Sequence, residues 1–173
     1  AEMLYSSVPF MNELGVDADW KVISGNEEFF ECTKGMHNTL QGNRIPLGET
    51  LLRAYEDTNA ANAEALRPQL EQADFVFIHD PQPAPLLQHC AGRKGKWIWR
   101  CHIDVSRPSR RVWNYVRNQV SAFDASVFSL PDFARRLPHP QFIVAPSIDP
   151  LSDKNVSLEQ DEIDQTVARL GIG

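Results

Sequence analysis

Two short apolar runs, each ending at a cluster of polar residues, constrain the fold of this chain more than any other feature. The runs are residues 75–78 (FVFI) and 97–99 (WIW), and both are rich in aromatic and β-branched side chains. Continuous runs of this kind are typical of strands that are buried on both faces. The segment between them, residues 84–91, has the length and composition of a crossover helix. This predicts a right-handed unit of two parallel, adjacent strands in the centre of a sheet.

The polar clusters directly follow the two predicted strands. The first is residues 79–83 (HDPQP) and the second is residues 100–104 (RCHID). Because the carboxyl ends of neighbouring parallel strands lie side by side, both clusters are predicted to lie there, where open α/β sheets bind their ligands. We call this side of the sheet, at the carboxyl ends of the strands, its carboxyl edge, and the opposite side, where the strands begin, its amino edge. Together they hold two histidines, two aspartates and one arginine, side chains that can exchange hydrogen bonds with a hydroxylated ligand. We therefore expect the functional site at this edge.

Two structural roles compete with ligand binding at these positions. Asp80 could cap a helix that begins at Pro81, because aspartate is a preferred N-cap residue. Arg100 could pair with Asp104 or with Asp80 instead of a ligand. The sequence leaves both alternatives open.

The remainder of the chain alternates between helical and strand patterns. Apolar residues at helical spacing predict helices over residues 1–14, 50–66, 109–123 and 159–170, with Pro68 opening or interrupting a further turn. Short apolar runs predict additional strands at residues 20–23, 125–130 and 141–145. Strands that alternate with helices indicate an α/β fold with a Rossmann-like, doubly wound and mostly parallel sheet.

A second candidate for ligand binding precedes the predicted sheet. Residues 26–41 are compatible with a helix, and His37, Asn38 and Gln41 would present hydrogen-bond donors and acceptors suited to a sugar. Polar side chains on a solvated helix face explain the same pattern and are the more common case.

Composition and motifs exclude several classes of protein. A chain of 173 residues can bury one substantial core, and its net charge of −6 gives no basic field for nucleic acid or an anionic membrane. No apolar run approaches the roughly 20 residues that span a bilayer. The three cysteines, Cys32, Cys90 and Cys101, lack C-x-x-C spacing, which predicts buried thiols in a reducing cytoplasm. Glycine-rich nucleotide loops and a serine nucleophile elbow are absent.

Five stretches of the chain resemble the trehalose glycosyltransferring synthases. They are residues 29–34 (FFECTK), 37–42 (HNTLQG), 79–83 (HDPQP), 99–104 (WRCHID) and 146–152 (PSIDPLS). These enzymes are retaining GT-B glycosyltransferases, close to the retaining trehalose phosphorylases. The resemblance implies the reversible synthesis of trehalose from a nucleoside-diphosphate-glucose (NDP-glucose) and glucose. It implies no metal and no cofactor on this domain, with NDP-glucose as the co-substrate.

The resemblance also implies roles for individual residues. Asp80 and His102 match catalytic residues that contact sugar hydroxyls beside the reaction centre in related enzymes. The remaining residues that the resemblance implies for substrate binding are Arg100, Asp104, His37, Asn38, Gln41 and Gln82.

The resemblance further predicts how the chain is organised. Residues 1–150 are expected to form the acceptor-side half of a GT-B enzyme, without the strand that precedes the first helix in that family. Residues 151–173 are expected to be a linker and helix leading to a second domain that binds NDP-glucose, so that this chain alone would be inactive. The expected ligands are glucose or trehalose, and a homodimer is left open. A trehalose phosphorylase fragment and a non-catalytic sugar-binding module are the alternative functions.

Overall fold

The computed structural model describes residues 2–147, 155 and 157–171, with the side chains of residues 2 and 3 excepted. These residues divide into two compact units. One contains residues 22–146, and the other contains residues 2–21, 147, 155 and 157–171. The predicted domain boundary at residue 150 lies in residues 148–154, which are outside the described residues. The boundary therefore stays a prediction.

The larger unit is built on a four-stranded parallel sheet. Its strands are β1 (Phe75–His79), β2 (Lys96–Cys101), β3 (Ala125–Phe128) and β4 (Gln141–Ile143), and their order in the sheet is β1-β2-β3-β4. Val76 lies beside Trp97 and Ile78 beside Trp99 in the parallel register of β1 and β2. The predicted α/β fold and the parallel pairing of the two apolar runs are therefore confirmed.

The expectation that both apolar runs are central and buried on both faces is wrong for β1. Among the described residues β1 is an edge strand, and its side chains alternate between buried and exposed. Val76 and Ile78 face the core, whereas Phe75 is 64% exposed and Phe77 56% exposed on the other face. The hydrophobicity of a side chain does not show whether a neighbouring element covers it.

Three helices, α2 (Glu27–Leu40), α3 (Glu49–Gln72) and α4 (Arg110–Val120), contribute to the same hydrophobic core as one face of the sheet. The largest fully buried side chains are Trp97, Trp99 and Tyr55, and the ring of Tyr55 stacks on that of Phe29 with a centroid separation of 6.1 Å. Each large apolar side chain buried in this way contributes about 1.5–3 kcal/mol. The core thus joins α2, α3 and α4 to the sheet in one unit.

Several local predictions differ from the structure. The crossover between β1 and β2 is a 3₁₀ helix, Ala84–His89, rather than a longer α-helix. Pro68 does not interrupt α3, because its ring lies on the exposed side of the helix, where a carbonyl without its usual partner can face solvent. Residues 20–23 form no strand in the structure.

The smaller unit contains two helices, α1 (Glu2–Glu13) and α5 (Gln160–Leu170). The first helix includes Pro9, and the chain turns after it through Gly15, whose φ of +85° favours glycine. The second helix begins with a capping box between Glu159 and Glu162, in which each side chain accepts the other residue's backbone N–H.

Candidate functional site

The candidate site begins where β1 and β2 end side by side. His79, the last residue of β1, lies beside Arg100, and the next backbone N–H, that of Asp80, donates to the Arg100 carbonyl at 2.8 Å. The polar residues after each strand are therefore brought to one edge of the sheet, as the sequence predicted. This edge is where open parallel sheets bind ligands.

Asp80 has an unusual backbone conformation and a specific partner. Its φ of 63° lies in the left-handed region, which costs roughly 1–2 kcal/mol for most side chains and less for aspartate. Its Oδ1 accepts a hydrogen bond from the His102 backbone N–H at 2.7 Å. Among the described residues its Oδ2 has no such partner, and the following 3₁₀ helix has Pro83 at its N-cap with no side-chain bond. The helix-cap alternative for Asp80 is therefore wrong.

His79 and His102 form a close imidazole pair. Their rings are stacked at a centroid separation of 5.2 Å, and His79 Nδ1 lies 2.9 Å from His102 Nε2. One ring must donate and the other accept, which requires at least one neutral imidazole. Burial, together with the charges of His102 and Arg100, lowers the pKa of His79 to about 4, and burial also lowers the pKa of His102. Both rings are therefore neutral at pH 7 and can donate to or accept from hydroxyl groups.

The Asp80 carboxylate is held in a partly dehydrated environment. Burial raises its pKa, although the hydrogen bond from the His102 backbone N–H and the positive charge of nearby Arg100 act in the opposite direction. A carboxylate that is poorly solvated gains more from a hydroxyl donor than an exposed one does. Asp80 is therefore suited to binding a sugar hydroxyl.

Arg100 and Gln82 each present a buried polar atom near this edge. The Arg100 Nη2 donates to Ser129 Oγ at 3.3 Å, but Nη1 is buried without a hydrogen-bond partner among the described residues, and so is Gln82 Oε1. Nor is Arg100 in an ion pair with a carboxylate anywhere in the part of the chain that the structure describes. The alternative of an ion pair with Asp104 or Asp80 is therefore wrong.

The carboxyl end of α2 approaches the same edge. The Ser109 N–H donates to the Thr39 carbonyl at 3.0 Å, which ties α2 to the loop after β2. Gly42 permits this approach: its φ is +103°, and a Cβ there would lie 3.1 Å from the Arg107 carbonyl oxygen. His37, in the last turn of α2, lies near enough to Asp80 for an electrostatic interaction.

The other predicted residues of this region are placed less favourably. Asn38 is half-buried in the last turn of α2, and Gln41, just beyond it, is exposed. Asp104 Oδ1 accepts the Ser106 N–H at 2.8 Å in its own turn, and the hydrogen bonds from Ser106 hold the pKa of Asp104 below its usual range. The carboxylate of Asp104 thus has a local structural role in its loop.

The described residues contain no group of three or more histidine, cysteine, aspartate or glutamate side chains arranged to hold a metal ion. Within the same part of the chain, no helix has the length and apolar character needed to cross a membrane. All three cysteines are buried and free, as predicted.

Comparison with known proteins identifies the family. A family model described as the N-terminal domain of trehalose synthase matches residues 1–135. The chain belongs to the trehalose synthase family. Curated trehalose synthases from Thermococcus litoralis and Rubrobacter xylanophilus are 43% and 38% identical to it, over 99% of its length. The chain spans 42% of the length of each of these relatives.

A solved structure agrees with the fold of this trehalose synthase family chain. The structure described as the OtsA apo structure is 19% identical, covers 61% of this chain and 26% of its own, and superimposes with a TM-score of 0.50. At this identity the likeness supports the α/β architecture alone.

Sequence reasoning missed the contacts of three residues at the site of this trehalose synthase family member. His79 was counted among the side chains that can bind a hydroxylated ligand, but its pairing with His102 was not predicted. Tyr55 and Asn59 lie in the helix predicted over residues 50–66 but were not among the candidate site residues, yet both donate to the segment that follows Asp80. Their spacing of four residues on one helix was the available signal, because it places two polar side chains on one buried face.

Proposed function

We propose that this chain forms the acceptor side of a retaining glycosyltransferase that reversibly makes trehalose from NDP-glucose and glucose. The observation that carries the proposal is the arrangement at the carboxyl edge of β1 and β2, where Asp80 and the neutral His79–His102 pair lie together. Membership of the trehalose synthase family supports the choice of sugar.

The groups at this edge complement a sugar rather than a charged or apolar ligand. Asp80 Oδ2 can accept from a glucose hydroxyl while Oδ1 stays on the His102 N–H. Neutral imidazoles can act as donor or acceptor, which suits hydroxyl groups that do both. Arg100 Nη1 and Gln82 Oε1 add one unpaired donor and one unpaired acceptor. Their pairing with a ligand would remove the cost of leaving buried polar atoms unsatisfied.

In the proposed reaction these residues bind and orient the reacting sugars. The bond between C1 of the donor glucose and the diphosphate oxygen breaks, and a bond forms between that C1 and the acceptor hydroxyl oxygen on the same face. The acceptor proton passes to the leaving phosphate, so that no side chain of this chain forms a covalent glucosyl intermediate. Positive groups outside this chain would stabilise the leaving phosphate, which leaves Asp80 and His102 to position hydroxyl groups.

The test is an assay of the gene product expressed from its natural reading frame. We expect ¹³C-glucose and NDP-glucose to yield α,α-trehalose and the nucleoside diphosphate, detected by NMR. Trehalose and the nucleoside diphosphate should regenerate NDP-glucose. Uridine, adenosine and guanosine diphosphate-glucose are tried in parallel, because the described residues do not select a base.

Two other outcomes would contradict the proposal. Formation of glucose 1-phosphate from trehalose and inorganic phosphate, without any reaction of NDP-glucose, would indicate a trehalose phosphorylase. Binding of glucose without turnover of either donor would indicate a sugar-binding module.

A further inference from the structure

Three consecutive backbone carbonyls next to the site each accept a hydrogen bond from a fully buried side chain. The carbonyls belong to residues 80–82. The donors are, in the same order, Trp99 Nε1 at 3.0 Å, Tyr55 Oη at 2.6 Å and Asn59 Nδ2 at 3.0 Å. All three donor residues are 0% exposed. The segment that carries the Asp80 carboxylate is thus bonded to the core at every residue.

The two donors on α3 are unusual residues for a core position. Tyr55 and Asn59 are four residues apart and so occupy the same face of the helix. The amide of Asn59 uses both hydrogens, one on the Tyr55 carbonyl and one on the Gln82 carbonyl. Burial raises the pKa of Tyr55 well above its usual range, so that its hydroxyl is always a donor. Apolar residues would fill this space without the cost of burying polar groups.

The backbone conformation of Asp80 indicates that these hydrogen bonds do more than stabilise the packing of the core. Asp80 has a left-handed backbone, a conformation that persists only when the surrounding structure holds it. The same conformation allows its Oδ1 to reach the His102 N–H at 2.7 Å. If the 80–82 segment relaxed toward an ordinary conformation, the carboxylate would move away from His102.

We propose that Tyr55, Asn59 and Trp99 are positioning residues, which hold the 80–82 segment so that the Asp80 carboxylate remains at the site. The inference rests on the proposed function only in taking Asp80 as a sugar-binding group. None of the three side chains needs to touch the sugar. Their effect is transmitted through the backbone carbonyls that they bind.

Tyr55→Phe tests the proposal because it removes one hydroxyl and leaves the ring that stacks on Phe29. Tyr115→Phe is the matched control: its ring lies 6.2 Å from that of Tyr55, but its hydroxyl donates to Glu56 and not to the 80–82 segment. Both variants are made in the complete gene product. Amide hydrogen exchange of the peptide that contains His102 is followed by mass spectrometry, with thermal melting and steady-state kinetics alongside.

We expect the His102 peptide to exchange about tenfold faster in Tyr55→Phe, because the Pro81 carbonyl loses its buried donor. We also expect kcat to fall by a similar factor with a smaller change in the KM for glucose, since a displaced carboxylate weakens the transition state more than substrate binding. Tyr115→Phe should leave exchange and kcat unchanged. If Tyr55→Phe does not fold, Asn59→Ala serves in its place, with the same expected changes.

The outcomes separate this inference from the proposed function. Unchanged exchange at His102 in Tyr55→Phe overturns the positioning role, whatever the activity of the wild-type protein. Faster exchange across the whole domain with a lower melting temperature also overturns it, because the hydroxyl would then stabilise only the fold. Faster exchange confined to the site, in a protein that makes no trehalose, supports positioning and contradicts the function.

Discussion

Asp80 and Asp124 are two carboxylates at opposite edges of one sheet, and their surroundings differ in kind. Asp124 precedes β3 at the amino edge, where its Oδ2 accepts the Trp97 N–H at 2.9 Å and pairs with Arg93. Its Oδ1 lies 3.0 Å from Lys96 Nζ. Asp80 follows β1 at the carboxyl edge, and among the described residues its carboxylate accepts a single hydrogen bond, from the His102 N–H.

The pKa values of the two carboxyl groups shift in opposite directions. Burial of Asp124 opposes its ionisation, but the Trp97 N–H, Arg93 and Lys96 outweigh that effect and hold its pKa well below the usual range. Burial of Asp80 is not outweighed, and its pKa is raised. Groups within the fold stabilise the ionised carboxylate of Asp124, whereas the carboxylate of Asp80 has too few hydrogen-bond partners to offset its burial.

This difference indicates what each edge of the sheet does. Satisfied charges at the amino edge contribute to folding, because each ionised group already has its partner. Poorly compensated groups with shifted pKa values are concentrated at functional sites, where a ligand supplies the remaining partners. The comparison predicts that substitutions at the carboxyl edge change function and that substitutions at the amino edge change stability.

The largest effect is expected at the carboxyl edge. In the complete gene product, Asp80→Asn and His102→Ala should each lower kcat for trehalose formation about ten- to a hundredfold, equivalent to roughly 1.5–3 kcal/mol. In the proposed function each variant loses a hydrogen bond to a reacting sugar, while the amide oxygen introduced by Asp80→Asn can still accept the His102 N–H. Steady-state kinetics in both directions, with a thermal melt of each variant, measure the effect.

Asp104→Asn is the control for this experiment. It alters another aspartate of the same polar cluster, but one whose side chain caps its own turn at Ser106, and asparagine can do the same. It should keep the wild-type rate. Wild-type rates in both Asp80→Asn and His102→Ala would show that the site has been placed wrongly, as would a loss of activity that merely follows unfolding.

A smaller effect, on stability, is expected at the amino edge. Asp124→Asn should lower the free energy of unfolding by about 1–2 kcal/mol, because Arg93 loses its carboxylate and the Trp97 N–H keeps only a neutral acceptor. The rate of trehalose formation in the folded protein should not change. Urea unfolding followed by tryptophan fluorescence measures the difference.

The exposed pair of Asp19 and Lys21 provides the control for Asp124. Their charged atoms are 2.6 Å apart, but the side chains are 69% and 44% exposed, so that Asp19→Asn should leave stability unchanged. A drop in kcat for folded Asp124→Asn would remove the distinction between the two edges.

The features of the fold that were predicted from sequence are those that depend on a pattern along the chain. Two adjacent apolar runs that are joined by a crossover segment are expected to pair in parallel, and the polar residues after them then meet at one edge. That reasoning was sufficient to place Asp80 near His102. It also brought Arg100 to the same edge.

The other features of the fold and of the site depend on contacts between residues that are far apart in the chain, which no local sequence pattern indicates. A left-handed Asp80 follows from the path of the chain between β1 and the crossover, and the hydrogen bonds that hold the carbonyls of residues 80–82 come from α3 and β2. The exposure of Phe75 depends on what lies against that face of β1, which hydrophobicity does not report. For the same reason, the sequence could not decide between a cap and a ligand-binding role for Asp80.

The last effect concerns pH and separates His79 from Asp124 by the pH range in which each side chain titrates. His79 has a pKa of about 4 in the folded protein, against an ordinary value near 6.5. The unfolded chain therefore binds a proton before the folded chain as the pH falls. The contribution of neutral His79 to stability is complete above about pH 6.5 and is lost progressively between that pH and about pH 4. Asp124, whose pKa is lowered, contributes above its unfolded value and loses that contribution only at more acidic pH.

We expect His79→Asn to reduce the loss of unfolding free energy between pH 7 and pH 5 by about 1–2 kcal/mol, measured by urea unfolding at each pH. Some loss should remain, because burial also lowers the pKa of His102 and His139. Asp80 acts in the opposite direction, since a raised pKa favours the folded state on acidification, and this limits the size of the effect. Asp124→Asn should lower stability equally at pH 7 and pH 5, because its carboxylate is ionised in both states throughout that range. An unchanged pH dependence in His79→Asn, or a changed one in Asp124→Asn, would contradict the assignment of this pH-dependent contribution to His79 rather than to Asp124.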